Sequence, residues 1–143
     1  MTIFDKYIGI PFKINSKGYD GVDCYTLIQL IFENEKKIKL PNISELCYEL
    51  YWANKEFIEN SMDEFFNNKF KSNFVELDLD KIKPFDLLIF SEKENSKLEQ
   101  HIGVYIGKGN FIHAIEGKSV MVSKVDIWRK RIKTVLGVKD GKN

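Results

Sequence analysis

The run His101-Ile102-Gly103-Val104-Tyr105-Ile106, the break Gly107-Lys108-Gly109 and the run Asn110-Phe111-Ile112-His113-Ala114-Ile115 constrain this chain more than any other stretch. Residues of high strand propensity flank a glycine-bracketed turn, the pattern of an antiparallel hairpin. Alternate residues of a strand share a face. His101, Gly103 and Tyr105 therefore lie on one side of the first strand, and Phe111, His113 and Ile115 on one side of the second. These are the chain's two histidines, and the turn decides whether they meet. A plain two-residue turn at Lys108-Gly109 puts them on opposite faces. A three-residue turn, or a compensating bulge, opposes residue 103 to 113 and 101 to 115, which brings both imidazoles to one face. Glycine's access to the left-handed region favours the three-residue form.

The rest of the chain divides by period. Up to about Phe70 apolar residues recur at helical spacing, and from Phe74 onward short strand-like runs dominate. Residues 1–8 read as a short amphipathic segment and 12–22 as a loop. Residues 24–35 read as a helix capped by Asp23, with Cys24, Leu27, Ile28 and Ile31 on one face. Helices are expected over 44–51 and 56–70, strands over 85–91, 119–125 and 134–138, and a helical turn at 126–129. The expected class is α+β: N-terminal helices packed on a central antiparallel sheet of about five strands. Residues 1–143 are expected to form one domain, with a helical insert at 36–70.

Composition removes several functions. A net charge of +1 gives no basic field for nucleic acid. Cys24 and Cys47, the only cysteines, do not make a disulfide framework. Neither CxxC, HxxxH nor HExxH spacing occurs, so no metal is expected, and nucleophilic thiol chemistry needs no other cofactor. The apolar runs are too short to span a bilayer, and no signal-peptide pattern heads the sequence. The expectation is synthesis in the cytoplasm.

The remaining chemistry is nucleophilic. A thiol in the first turn of a helix meets free amides and the positive end of the helix dipole, which favour the thiolate and lower its pKa. The Cys24 amide is then the natural oxyanion donor. With the helix packed on the histidine-bearing face, His101 is in reach as base, and His113 holds the other nitrogen of its ring. Gly103 leaves space beside His101 for substrate or thiol. Cys24 also reads as a small buried apolar residue, and each histidine as a satisfied structural one.

These residues resemble the NlpC/P60 family of papain-like cysteine peptidases. Asp23-Cys24 is similar to the family's Asp-Cys motif at the head of its catalytic helix. His101-Ile102-Gly103-Val104-Tyr105 is similar to its His-[Val/Ile]-Gly-[Val/Ile]-Tyr strand, and Phe111-Ile112-His113-Ala114 to the strand with its third polar residue. Ile8-Gly9-Ile10-Pro11-Phe12 resembles the entry segment, and Lys83-Pro84-Phe85-Asp86-Leu87 the Pro-Gly-Asp-Leu that opens the first core strand. Tyr25-Thr26 departs from the usual Ser-Gly, Phe12 from a site-lining tyrosine, and Phe85 from glycine.

The resemblance implies a cysteine endopeptidase or amidase acting on peptidoglycan stem peptides at a γ-D-glutamyl–diamino acid type bond. Cys24, His101 and His113 would be its catalytic set, and Asp23, Tyr25, Phe12 and Gly103 would touch substrate. The alternatives are a phage tail-tip or secretion-associated structural domain with a vestigial site, and an acyltransferase or amidase on another acyl group. The implied setting is a monomer delivered to the cell wall by phage tail or secretion machinery.

Overall fold

A computed structural model describes residues 2–14, 16–40, 74–91 and 101–138. The helices expected over 44–51 and 56–70, Cys47, the charged loop over 92–100 and the tail from 139 lie outside the described residues. The strands are β1 (Lys17–Gly18), β2 (Gly21–Val22), β3 (Phe74–Glu76), β4 (Leu87–Phe90), β5 (His101–Gly107), β6 (Asn110–Ala114), β7 (Val120–Lys124) and β8 (Ile132–Val138). Among the described residues two α-helices accompany them, α1 (Cys24–Ile31) and α2 (Val125–Trp128).

Strands β3 to β8 form one antiparallel sheet in the order β3-β8-β4-β5-β6-β7. It has six strands rather than about five. The extra one, β3, is three residues long, too short to carry a readable alternation. Strands β1 and β2 pair as a small separate hairpin inside the segment expected to be loop.

Helix α1 starts at Cys24 because Asp23 caps it. Asp23 Oδ1 accepts from the amides of Tyr25 (3.0 Å) and Thr26 (2.9 Å), and Thr26 Oγ1 accepts from the Asp23 amide at 2.7 Å. A cap of this kind stabilises a helix by about 1 kcal/mol. The helix runs into one wide turn at Phe32–Lys36 and stops at Lys37, which is left-handed with φ 58°.

Every residue of α1 from Tyr25 to Ile31 is buried. The helix packs on one face of the sheet, against Leu87, Ile89, Ile102, Val104, Ile112, Ala114, Val120 and Leu136. Each such buried aliphatic contributes about 1.5–3 kcal/mol. The alternate residues of the same strands, Leu88, Phe90, Phe111 and Val135, form a second core on the opposite face with Val125 and Trp128.

The β5–β6 hairpin corrects the expected turn and keeps its consequence. Gly107 pairs with Asn110, so the turn has two residues, and both have positive φ: Lys108 at 55° and Gly109 at 79°. That is the turn whose twist suits a hairpin. The register then shifts between Tyr105 and Gly107, and Tyr105 faces Phe111 while Val104 faces Ile112. The bulge absorbs one residue and restores the parity that a three-residue turn would give.

At the entry to β4, Phe85 has φ 78°. It holds a backbone position natural to glycine, at a cost of about 1–2 kcal/mol. Its ring packs on Phe4 (centroids 5.0 Å apart) and on Phe32 (6.4 Å). The side chain supplies packing that glycine could not.

Candidate active site

Cys24 is the one residue of α1 that is not fully buried. Its side chain packs on the helix-side core, and the backbone amides of Ile102, Cys24 and Tyr25 each favour the anionic form of its thiol. A strand N–H lies in the plane of its sheet. The influence of the Ile102 amide brings the thiol close to β5, by the peptide that follows His101.

His101 begins β5 directly opposite Phe90, on the sheet face turned away from α1. The expected packing of the helix on the histidine-bearing face is corrected here. The apolar residues alternate with His101 and His113, so the helix takes the Ile102–Val104–Ile112 side and the thiol comes in at the strand edge. The β5–β6 ladder stops at Val104↔Ile112, which leaves His101–Gly103 paired only with β4.

The structure joins the two histidines. His101 Nε2 lies 2.8 Å from His113 Nδ1, and His113 Nε2 lies 2.8 Å from Ser123 Oγ. His113 has no exposed surface. Since Nε2 of His101 is engaged, Nδ1 is the ring atom left for a further partner. Trp128 closes the far side: its ring stacks on His101 with centroids 5.8 Å apart and meets His113 edge-on at 5.1 Å. Arg131 lies over the outer face of that indole, 4.4 Å from the ring centre. Arg131 is held there by its backbone carbonyl, which accepts from the Ser91 amide at 2.8 Å, and by its Nε, which donates to the Ser91 carbonyl at 3.2 Å.

These surroundings set the charges. Burial, then the Asp23 carboxylate, pushes the Cys24 thiol up to about 12, against the pull of the three amides. Burial is the largest of these influences, and it opposes the lowering expected from the helix head. Burial, then His113 and Arg131, holds His101 down to about 3. Burial and Arg131 hold His113 down to about 4. Each of the three groups, taken singly, is thereby favoured in its neutral form.

The proposed substrate residues separate. Asp23 is the helix cap and is 3% exposed. Tyr25 has no exposed surface and lies in the helix-side core, so it does not reach a substrate. A Cβ on Gly103 would stand 2.8 Å from the Phe111 ring; the space beside His101 that glycine was expected to leave open is filled by that ring. Phe12 is half-buried and bridged to Val22, two residues before Cys24, which keeps it near the helix head. Ser123 and Trp128 were not legible as site residues. The one clue to Ser123 was a polar residue in an alternating strand.

Residues 9–137 match the NlpC/P60 family. The chain is 28% identical over 131 residues to the gamma-DL-glutamyl hydrolase of Bacillus subtilis, covering 90% of this chain and 26% of that protein. It is 24% identical over 134 residues to the murein DD-endopeptidase MepS/murein LD-carboxypeptidase of Escherichia coli K12, covering 90% of this chain and 57% of that protein. The chain thus spans about a quarter to somewhat over half the length of the curated relatives it matches. Among solved structures, the NlpC/p60 domain of the peptidoglycan hydrolase SagA superposes with a TM-score of 0.61 at 19% identity, covering 95% of this chain and 92% of that one.

Proposed function

The chain belongs to the NlpC/P60 family, and from that premise we propose that it is a cysteine peptidase cleaving peptidoglycan stem peptides at a γ-D-glutamyl–diamino acid type bond. The observation that carries this reading is the 2.8 Å contact between His101 and His113, one residue along β5 from the amide that meets the Cys24 sulfur. The names of the relatives, a gamma-DL-glutamyl hydrolase and a murein endopeptidase, support the substrate class.

The chemistry follows from the charges. A lone thiolate or a lone imidazolium is disfavoured at this site. Moving the proton from Cys24 to Nδ1 of His101 charges both at once, and their attraction offsets the loss of water. The sulfur then attacks the scissile carbonyl, and the oxyanion meets the Cys24 amide, which the Asp23 carboxylate does not occupy. His101 gives its proton to the leaving amine. Water, deprotonated by His101, releases the acyl group and restores the thiol. His113 accepts from Nε2 of His101 throughout, so that the ring keeps its orientation. In this reading residues 1–143 work as one monomeric unit at the cell wall, brought there by phage tail or secretion machinery.

Product analysis by mass spectrometry on a defined disaccharide-tetrapeptide tests the proposal. The wild-type protein is expected to cut between the γ-D-glutamyl residue and the diamino acid, and Cys24→Ala to leave the substrate intact. Equal cleavage by both proteins, or an untouched substrate with both, refutes it.

A further inference from the structure

We propose that Ser123 is a positioning residue of this site: its hydroxyl accepts the Nε2–H of His113 in the tautomer that, through His113, keeps Nδ1 of His101 free to accept a proton. The inference rests on the reading of His101 as the base and adds a member to it from a different strand. Ser123 lies on β7, directly opposite Phe111. It therefore shares the sheet face of Phe111 and His113, one strand step from the Met121↔His113 pair.

The argument is one of donors and acceptors. A neutral imidazole has one N–H and one bare nitrogen. His113 is buried and neutral, so the row His101–His113–Ser123 can run in only two directions. In one, His101 Nε2–H donates to His113 Nδ1, and His113 Nε2–H donates to Ser123 Oγ. Nδ1 of His101 is then bare and able to take the thiol proton. In the other, the Ser123 hydroxyl donates to His113 Nε2, His113 Nδ1–H donates to His101 Nε2, and Nδ1 of His101 already carries a hydrogen. Only the first direction is productive.

Transfer of the proton from Cys24 favours it further. The imidazolium of His101 carries hydrogens on both nitrogens, so His113 must present a bare Nδ1 and direct its own N–H to Ser123. A hydroxyl is suited to this place because it accepts in the productive row. Without it, the His113 Nε2–H would be a buried donor that has lost its acceptor, and the row would turn to the unproductive direction.

The chain's having only two histidines makes the test direct. The ¹⁵N shifts of both rings are recorded in tag-free protein for wild type, Ser123→Ala, Ser123→Cys and Ser123→Thr, alongside kcat and KM on the defined muropeptide. The expected wild-type spectrum has His113 protonated at Nε2. Ser123→Ala is expected to move that hydrogen to Nδ1 and to lower kcat about tenfold with KM within twofold. Ser123→Thr restores both readouts, and Ser123→Cys, a weaker partner of similar shape, falls between. If Ser123→Ala does not fold, the Cys and Thr variants give the same comparison. Unchanged ring tautomers and unchanged kcat in the folded variants overturn the proposal, as does wild-type His113 protonated at Nδ1. The spectra read the row whether or not the muropeptide is cut, so failure of the peptidase reading shows separately, as a wild-type protein that leaves the substrate whole.

Discussion

The two faces of the main sheet are built from alternate residues of the same strands and differ in kind. The face under α1 is aliphatic: Ile102, Val104, Ile112, Ala114 and their neighbours bury a helix and present no titratable side chain from β5 or β6. The opposite face carries His101, His113 and Ser123 among Phe90, Phe111 and Trp128. One face holds the scaffold and the other holds the His101–His113–Ser123 row. The thiol belongs to neither, since it enters from the helix side and meets the strand edge at Ile102. A period of two thus lets neighbouring residues, Ile102 for stability and His101 for chemistry, be separated by a single peptide.

That division should break apart under mutation. The largest effect is expected at the thiol. Cys24→Ala should lower kcat/KM on stem peptide by about 10⁴-fold or more while the melting temperature stays near wild type. His113→Ala removes the partner of His101 Nε2 and should lower kcat about 10³-fold, with a modest loss of Tm. His113→Asn, which keeps a polar group in reach, should recover part of that rate. Both are read by steady-state kinetics beside a thermal melt.

The aliphatic face should respond the other way. Ile112→Ala is expected to cost about 2–5 kcal/mol in denaturant unfolding, with kcat of the folded fraction within a few-fold of wild type. Phe111, on the opposite face of the same strand, covers Gly103 and packs tilted against His113 with centroids 4.4 Å apart. Phe111→Leu should therefore cost less stability and more rate than Ile112→Ala. If the two variants behave alike, the separation of roles between the faces is lost.

The expected effect that touches no catalytic rate is a pH dependence of stability. Both imidazoles are held below the ordinary histidine value, His113 to about 4 and His101 to about 3, with burial the largest cause. Above pH of about 6.5 they are neutral in folded and unfolded chains alike and contribute nothing. Below it the unfolded chain takes up protons that the native one refuses, so stability falls as pH drops from about 6.5 toward about 4. Thermal melts between pH 8 and pH 4 should show this loss, and His113→Gln should flatten it. An equal slope in the variant would show that His113 does not supply it.

What was legible in the sequence follows the reach of each signal. The face shared by the two histidines could be read because strand alternation is strict, and the bulge near Ile106 preserved it even though the turn was shorter than expected. The Asp23 cap could be read because capping is local. The side on which α1 packs could not. Apolar residues occur on both faces of β5 and β6, and only the aromatic filling of the histidine face by Phe90, Phe111 and Trp128 decides the matter. Ser123 and Trp128 reach the site through pairing of β7 with β6 and through the turn at α2, which are tertiary facts. The burial of the thiol could not be read either, because a dipole is visible in sequence and desolvation is not.

The central claim is that the Cys24 sulfur and the His101 ring act as one proton-sharing unit across the edge of β5. Carbamidomethylation of Cys24 by iodoacetamide at pH 7, followed by peptide mass spectrometry, tests it in wild type and in His101→Ala. With its pKa pushed up to about 12, the thiol should need the imidazole to react, and the variant should be slower by at least about tenfold. Equal rates of modification in the two proteins would contradict the account.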